Sequence, residues 1–230
     1  MLPKPIIKKY GKINVVRDDF LEGGTKMRFI LPFLQERKEK EFVYASPSFG
    51  YAQVALASCC KMLNKKAIIF SPKRKEPHPL TLKAKELGAT IYQVPYGYLS
   101  NIQSKAKKYC INEGAFLIPF GVDIPTASNS LTKVAKSLNI RPKEVWTVSG
   151  SGTLTRALQK AWTKAKFYAV EIGKKNSDIG NAVRLTAPEK YEQKSKLKPP
   201  FPSSLWYDAK CWQFIIKNAK ENALFWNVGS

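Results

Sequence analysis

Three short segments carry residues whose types and spacing could do chemistry. The first is R-D-D-x-x-x-G-G-T-K-M-R, from Arg17 to Arg28. A double glycine, Gly23–Gly24, turns the chain, and a helix is expected to begin at about Lys26. A lysine at the mouth of a sheet, partly desolvated, has a lowered pKa and can form a Schiff base with an aldehyde. Taken alone, the same residue reads equally as a solvated or phosphate-binding lysine. The second segment is S-P-S-F-G-Y-A-Q-V-A-L-A, from Ser46 to Ala57. Hydroxyl residues close a strand there, and the bare N–H groups of the next helix favour a carboxylate or phosphate. Ser48 could donate to a substrate carboxylate; on local grounds it is a serine N-cap. The third is V-S-G-S-G-T-L-T-R, from Val148 to Arg156. Here N–H groups converge with the hydroxyls of Ser149, Ser151, Thr153 and Thr155 into a generic anion cradle. No G-K-[ST] follows, so it is not a Walker loop. It is a defective G-x-G-x-x-G with Thr155 in the third place. Glu171 ends the next strand about 20 residues on, so a nicotinamide or S-adenosylmethionine pocket competes on local grounds.

The elements that must position these segments follow from hydrophobic periodicity. Strands are expected at 13–16, 42–45, 67–71, 90–94, 116–119, 145–148, 167–172 and 224–228. Helices are expected at 51–63, 81–87, 100–113, 127–138, 154–164 and 209–222. Strands separated by helices imply parallel crossovers and an α/β architecture. Two stretches read as connectors: the charged, proline-broken KRKEPHP at 73–79, and the long polar stretch 176–204. Long irregular stretches in a compact domain are usually functional or mobile. There is no internal repeat.

Composition narrows the classes. The chain has 230 residues, of which 44% are hydrophobic, so a core can form and disorder is not the default. No apolar run reaches the ~18 residues of a membrane span, and the basic N-terminus lacks a signal-peptide core. Cys59, Cys60, Cys110 and Cys211 show no C-x-x-C spacing and read as reduced packing residues of a cytoplasmic protein. No metal-ligand spacing is visible. His78, the single histidine, lies in KRKEPHP and reads as a surface residue without a catalytic part. The unusual quantity is charge: 39 Lys plus Arg against 17 Asp plus Glu, a formal +22. Such a field concentrates polyanions and favours counterion release on a phosphate backbone, so DNA is an expected partner.

Together the three segments resemble the fold-type II pyridoxal 5'-phosphate (PLP) enzymes of the tryptophan synthase β superfamily. The nearest branch is that of 1-aminocyclopropane-1-carboxylate deaminase and D-cysteine desulfhydrase. The resemblance covers about residues 10–173, and G-A-T-I-Y-Q-V at 88–94 looks like the family's small-domain strand. It implies two open twisted parallel-sheet subdomains, C-terminally shortened: a larger one from 1–36 and 140–230, and a smaller α/β one from 37–139. It implies that Lys26 holds PLP and that Ser48–Gln53 grips the substrate carboxylate. Ser149, Gly150, Ser151, Gly152 and Thr153 would bind the phosphate. The sequence departs from the pattern at three places. Phe49 or Gly50 stands where an asparagine usually meets the cofactor O3′, Thr25 replaces the asparagine before the lysine, and the C-terminal part is shorter. Candidates for the pyridine-nitrogen partner are Asn227 and Ser230. The catalytic tyrosine has no clear match, with Tyr51, Tyr98 and Tyr207 as candidates and Tyr51 preferred.

The resemblance implies PLP-dependent lyase chemistry of decarboxylase or deaminase type. Charge then points to an α-amino acid already attached to a DNA base, as in phage pathways that hypermodify thymine, in the host cytoplasm. Tyr96, Tyr98, Trp206, Tyr207 and Trp212 could stack on bases, although core packing is the plainer reading of each. The alternatives are a deaminase, desulfhydrase or racemase on a free amino acid, and a non-catalytic nucleic-acid-binding protein on a PLP-type fold. The family's usual homodimer is the expected assembly.

Overall fold

A computed structural model describes residues 2–95, 97–122, 124–173 and 176–230. In chain order the elements are β1 (Ile7–Tyr10), β2 (Ile13–Arg17), α1 (Met27–Gln35), β3 (Glu41–Ala45), α2 (Ala52–Met62), β4 (Lys66–Pro72) and α3 (Pro79–Glu86). They continue with β5 (Thr90–Val94), α4 (Leu99–Glu113), β6 (Phe116–Ile118), α5 (Thr126–Lys136), β7 (Glu144–Ser149) and α6 (Thr153–Ala161). The last are β8 (Lys166–Glu171), β9 (Val183–Thr186), α7 (Ala209–Asn218) and β10 (Ala223–Asn227). The chain divides into two compact units, Met1–Arg28 with Pro125–Ser230, and Phe29–Ile124. These boundaries lie earlier than the expected 36/37 and 139/140. The physical reason at the second is α5, which packs on α6 and is pinned there by Thr132 Oγ1 donating to Ala157 O at 2.9 Å.

The first unit is a six-stranded sheet in the order β1-β2-β10-β7-β8-β9. All pairs are parallel except β1 on β2, an antiparallel edge that the all-parallel expectation lacked. Side-chain alternation builds two cores. Val16, Val145, Leu224 and Trp226 bury with Leu158 and Trp162 on one face. Val15, Trp146, Val148 and Phe225 bury with Trp212 and Ile215 of α7 on the other.

The second unit is a four-stranded, wholly parallel sheet in the order β5-β4-β3-β6. Val43, Ala45, Ile68 and Phe70 form a core with Ile102 and Ala106 of α4. Helix α2 is buried along nearly its whole length, including Cys59 and Cys60. All four cysteines are free thiols, and burial raises the pKa of Cys59 and Cys60, which suits packing rather than reactivity.

Candidate active site

In the first unit, the turn after β2 is fixed by one carboxylate. Asp18, fully buried, accepts from Arg28 Nε at 2.9 Å and Nη2 at 2.5 Å, and from Thr25 Oγ1 at 2.8 Å. Trp226 Nε1 of β10 donates to the same carboxylate at 3.2 Å and to Thr25 Oγ1 at 2.9 Å. The Thr25 N–H donates to Val228 O at 2.9 Å. The first aspartate of R-D-D therefore locks the backbone on both sides of Lys26 to the end of β10. Lys26 itself ends a 3-10 turn directly before α1, where the sequence puts a helix start. Burial lowers its pKa, and the Asp208 carboxylate opposes that shift.

Asp208 is the residue that sequence reasoning missed. It stands at the start of α7 but does not cap it. Its Oδ2 accepts from the Gly229 N–H at 3.3 Å, while its Oδ1 is buried with no partner. Burial pushes the carboxyl up to about 8, against the backbone of Val228 and Gly229 and the charge of Lys26. Tyr207, beside it, lies against the glycine turn. A Cβ on Gly150 would come within 3.2 Å of the Tyr207 hydroxyl, and burial raises that phenol's pKa as well. The pair thus bridges the loops that follow β7 and β10, where the strand order reverses and α/β sheets bind ligands. The only sequence signal was W-Y-D before an amphipathic stretch, which is weak.

The glycine turn joins β7 to α6, with its N–H groups at the helix start. Ser151 Oγ and Thr153 Oγ1 lie 3.0 Å apart, and Ser149 Oγ lies 3.1 Å from Ser177 Oγ. Gly152 has φ +80°, and a Cβ there would fall 1.8 Å from Asp178 O. Arg156 donates to Ser151 O at 3.2 Å and also to Asp178 O. Glu171 accepts from the Ser177 N–H at 3.0 Å and hydroxyl at 2.9 Å, and pairs with Arg184. It anchors the loop after β8 and has no resemblance to a free ribose-binding acid, which removes the basis of the dinucleotide reading.

Asn227, a candidate for the pyridine nitrogen, is tied into the fold. It is fully buried, its Nδ2 donating to Asp19 Oδ1 at 2.7 Å and Pro202 O at 2.9 Å, while its Oδ1 accepts from Ser203 at 2.8 Å. Its polar atoms are already engaged. Ser230 is exposed at the end of the chain.

In the second unit, Ser48 is buried and its hydroxyl accepts from Arg74 Nε at 2.7 Å. The Arg74 guanidinium sits 5.3 Å from the Phe49 ring centroid. His78 lies 4.6 Å from the same ring, and its Nδ1 accepts from the Leu80 N–H at 3.2 Å, capping α3. The segment KRKEPHP is therefore folded onto the 46–50 turn, and His78 is a half-buried cap rather than a surface residue. Tyr51 stands, half-buried, at the start of α2. Of the expected stacking residues, Trp212 belongs to the core, 7% exposed against Phe201 and Phe225. Trp206 is half-buried under Lys194, Tyr98 is 79% exposed, and Tyr96 lies outside the described residues.

A donor set of this kind suits PLP. The glycine turn could hold a phosphate, Lys26 is an amine whose pKa burial lowers, and Asp208 has a buried, unpartnered carboxyl oxygen. No family profile matches the sequence. A curated relative, the glycyl-dTMP PLP-dependent decarboxylase of Pseudomonas phage M6, is 22% identical over 243 aligned positions, covering 89% of this chain and 87% of its own. Among solved structures, an ACC deaminase homologue superposes with a TM-score of 0.86 at 13% identity, covering 99% of this chain and 90% of that one. Threonine deaminase isoform 2 from Solanum lycopersicum gives 0.70 at 15% identity, over 94% and 74%. A hydrogen sulfide-producing enzyme from Fusobacterium nucleatum gives 0.71 at 14%, over 98% and 95%. The chain has the fold of the fold-type II PLP-dependent enzymes.

Proposed function

We propose that the chain is a PLP-dependent lyase that removes the carboxyl group of an α-amino acid carried on a thymine base of DNA. The observation that supports the PLP assignment is the cluster at the end of the first sheet, where Tyr207 lies against Gly150 and the adjoining buried Asp208 carboxyl, its Oδ1 unpartnered, acts on the charge of Lys26. The relative's activity on glycyl-dTMP and the +22 charge support the substrate. When bound, PLP supplies an electron sink for a bond broken at Cα. Lys26 would hold the cofactor, and burial, which lowers its pKa, favours the neutral amine that this needs. Backbone N–H groups from Ser149 to Thr153 would hold the phosphate. Asp208, buried with Oδ1 unpartnered, would be the hydrogen-bonding partner of the pyridine nitrogen, in place of Asn227 or Ser230. Tyr207, whose hydroxyl lies against Gly150, would take the part expected of Tyr51. In the second unit, Ser48, which accepts from Arg74, keeps the part expected of it toward a substrate carboxylate.

The test is to supply PLP-loaded protein with DNA bearing a thymine-linked amino acid and to follow the nucleoside by mass spectrometry. Loss of carbon dioxide with retention of the amine is the expected result. Ammonia released from free amino acids, with the DNA unchanged, would instead assign the chain to the deaminase type.

A further inference from the structure

The second unit holds a crevice that the proposed chemistry does not use. Its sheet runs β5-β4-β3-β6, so the chain builds outward on one side of β3 and returns to the other side for β6. Open α/β sheets take ligands outside the carboxyl ends of their strands at such a reversal. A cavity of about 420 Å³ lies there, between Ala45 at the end of β3, Ile118 at the end of β6, and α4. Its volume falls within the roughly 300–1,000 Å³ of small-molecule sites. That is room for a mononucleotide and not for a duplex.

The lining chemistry narrows the ligand. Phe120, just beyond β6, is 49% exposed and offers a ring face for stacking. Gln103, Ser104 and Lys107 share one face of α4 at spacings of three and four residues. Among the described residues their side chains make no hydrogen bond or ion pair, so their polar capacity is open to a ligand. The Gln103 amide has both a donor and an acceptor, and the Ser104 hydroxyl can play either part. Such a set matches a pyrimidine edge of carbonyls and one N–H. Lys107 supplies an ammonium for a phosphate, and Lys105 and Lys108 are exposed on the same helix. Neutral hydrogen-bonding groups, a ring and one cation describe a base with a phosphate, whereas a free amino acid would require a paired carboxylate and amine site.

We infer that this crevice takes a thymidine 5′-monophosphate unit. The inference rests on the proposed DNA-borne substrate and adds where its nucleotide is held. A unit of that size enters only from a single strand or after extrusion from the duplex.

Calorimetric titration of the full chain with dTMP, and separately with a short single-stranded oligothymidylate, tests it. Phe120→Ala and Gln103→Ala should each weaken binding about tenfold. Binding of dTMP itself assigns the site to the nucleotide; binding of the oligonucleotide alone assigns it to the unit within a strand. Irradiation with 4-thiothymidine 5′-monophosphate, followed by peptide mapping, should label the segment 99–122. Unchanged affinity in both variants, label confined to other segments, or no binding of either ligand overturns the inference. Lys26→Ala should bind dTMP as tightly as the parent, so failure of the PLP assignment and failure of the crevice are read separately.

Discussion

At the carboxyl end of the first sheet stand Lys26, the buried carboxyl of Asp208 and the Tyr207 phenol, the last against a glycine turn. At the carboxyl end of the second, a cavity of about 420 Å³ is bordered by neutral polar side chains and one ammonium. Parallel topology makes the place in both sheets, because N–H groups and chain reversals gather at strand ends. What fills the place sets its chemistry. The first is held by buried polar bonds to Asp18 and Asp208, and burial shifts the pKa of Lys26, Tyr207 and Asp208, so its substitutions should cost stability. The second leaves its polar groups to solvent, so its substitutions should cost binding alone.

The contrast can be broken most forcefully at Asp18. Asp18→Ala leaves the buried Arg28 guanidinium without its counter-ion and should cost about 3–5 kcal/mol in urea unfolding. A loss no greater than that of an exposed acid would show that the turn before Lys26 is held otherwise. Asp208→Asn sharpens the contrast through pH. The folded carboxyl titrates at about 8, above its unfolded value of 3.8. The folded state thus holds the proton more tightly, and the stability this gives is complete below about 4 and lost as pH rises through about 8. The cofactor-free parent should therefore lose stability relative to Asp208→Asn across that window, and parallel stability curves would contradict it. Gly152→Ala puts a Cβ against Asp178 O at a left-handed φ, and should cost at least about 1–2 kcal/mol while weakening PLP uptake. The smallest effect belongs to the second crevice. Gln103→Ala should leave unfolding within about 0.5 kcal/mol of the parent, and a larger loss would mean the residue is part of the unit's framework.

Much of this was legible in the sequence where the signal is local. Each of the eight expected strands forms within two residues of its place, because apolar runs such as Phe42–Ala45 between helices leave one reading. Strands β1 and β9 were missed since they are edge strands of largely exposed residues, Ile7–Tyr10 and Val183–Thr186, without an apolar run. The Lys26 turn and the glycine turn were visible as motifs. Asp208 was not, because its meaning comes from Gly229 and Lys26, both remote in the chain. Arg74 was hidden for the same reason: a charge in a polar segment acquires a role only when folding sets it on Ser48. Trp212 was ambiguous because a tryptophan beside two other aromatics reads alike as a stacking platform and as core, and the sheet decided for core.

The central claim is that Lys26 is the residue that takes PLP. Purified chain saturated with PLP, reduced with borohydride and digested, should yield a pyridoxyl group on the peptide containing Lys26, with a visible absorption band that Lys26→Ala abolishes. A colourless protein, or a pyridoxyl group spread over other lysines with Lys26 unmodified, would contradict the account.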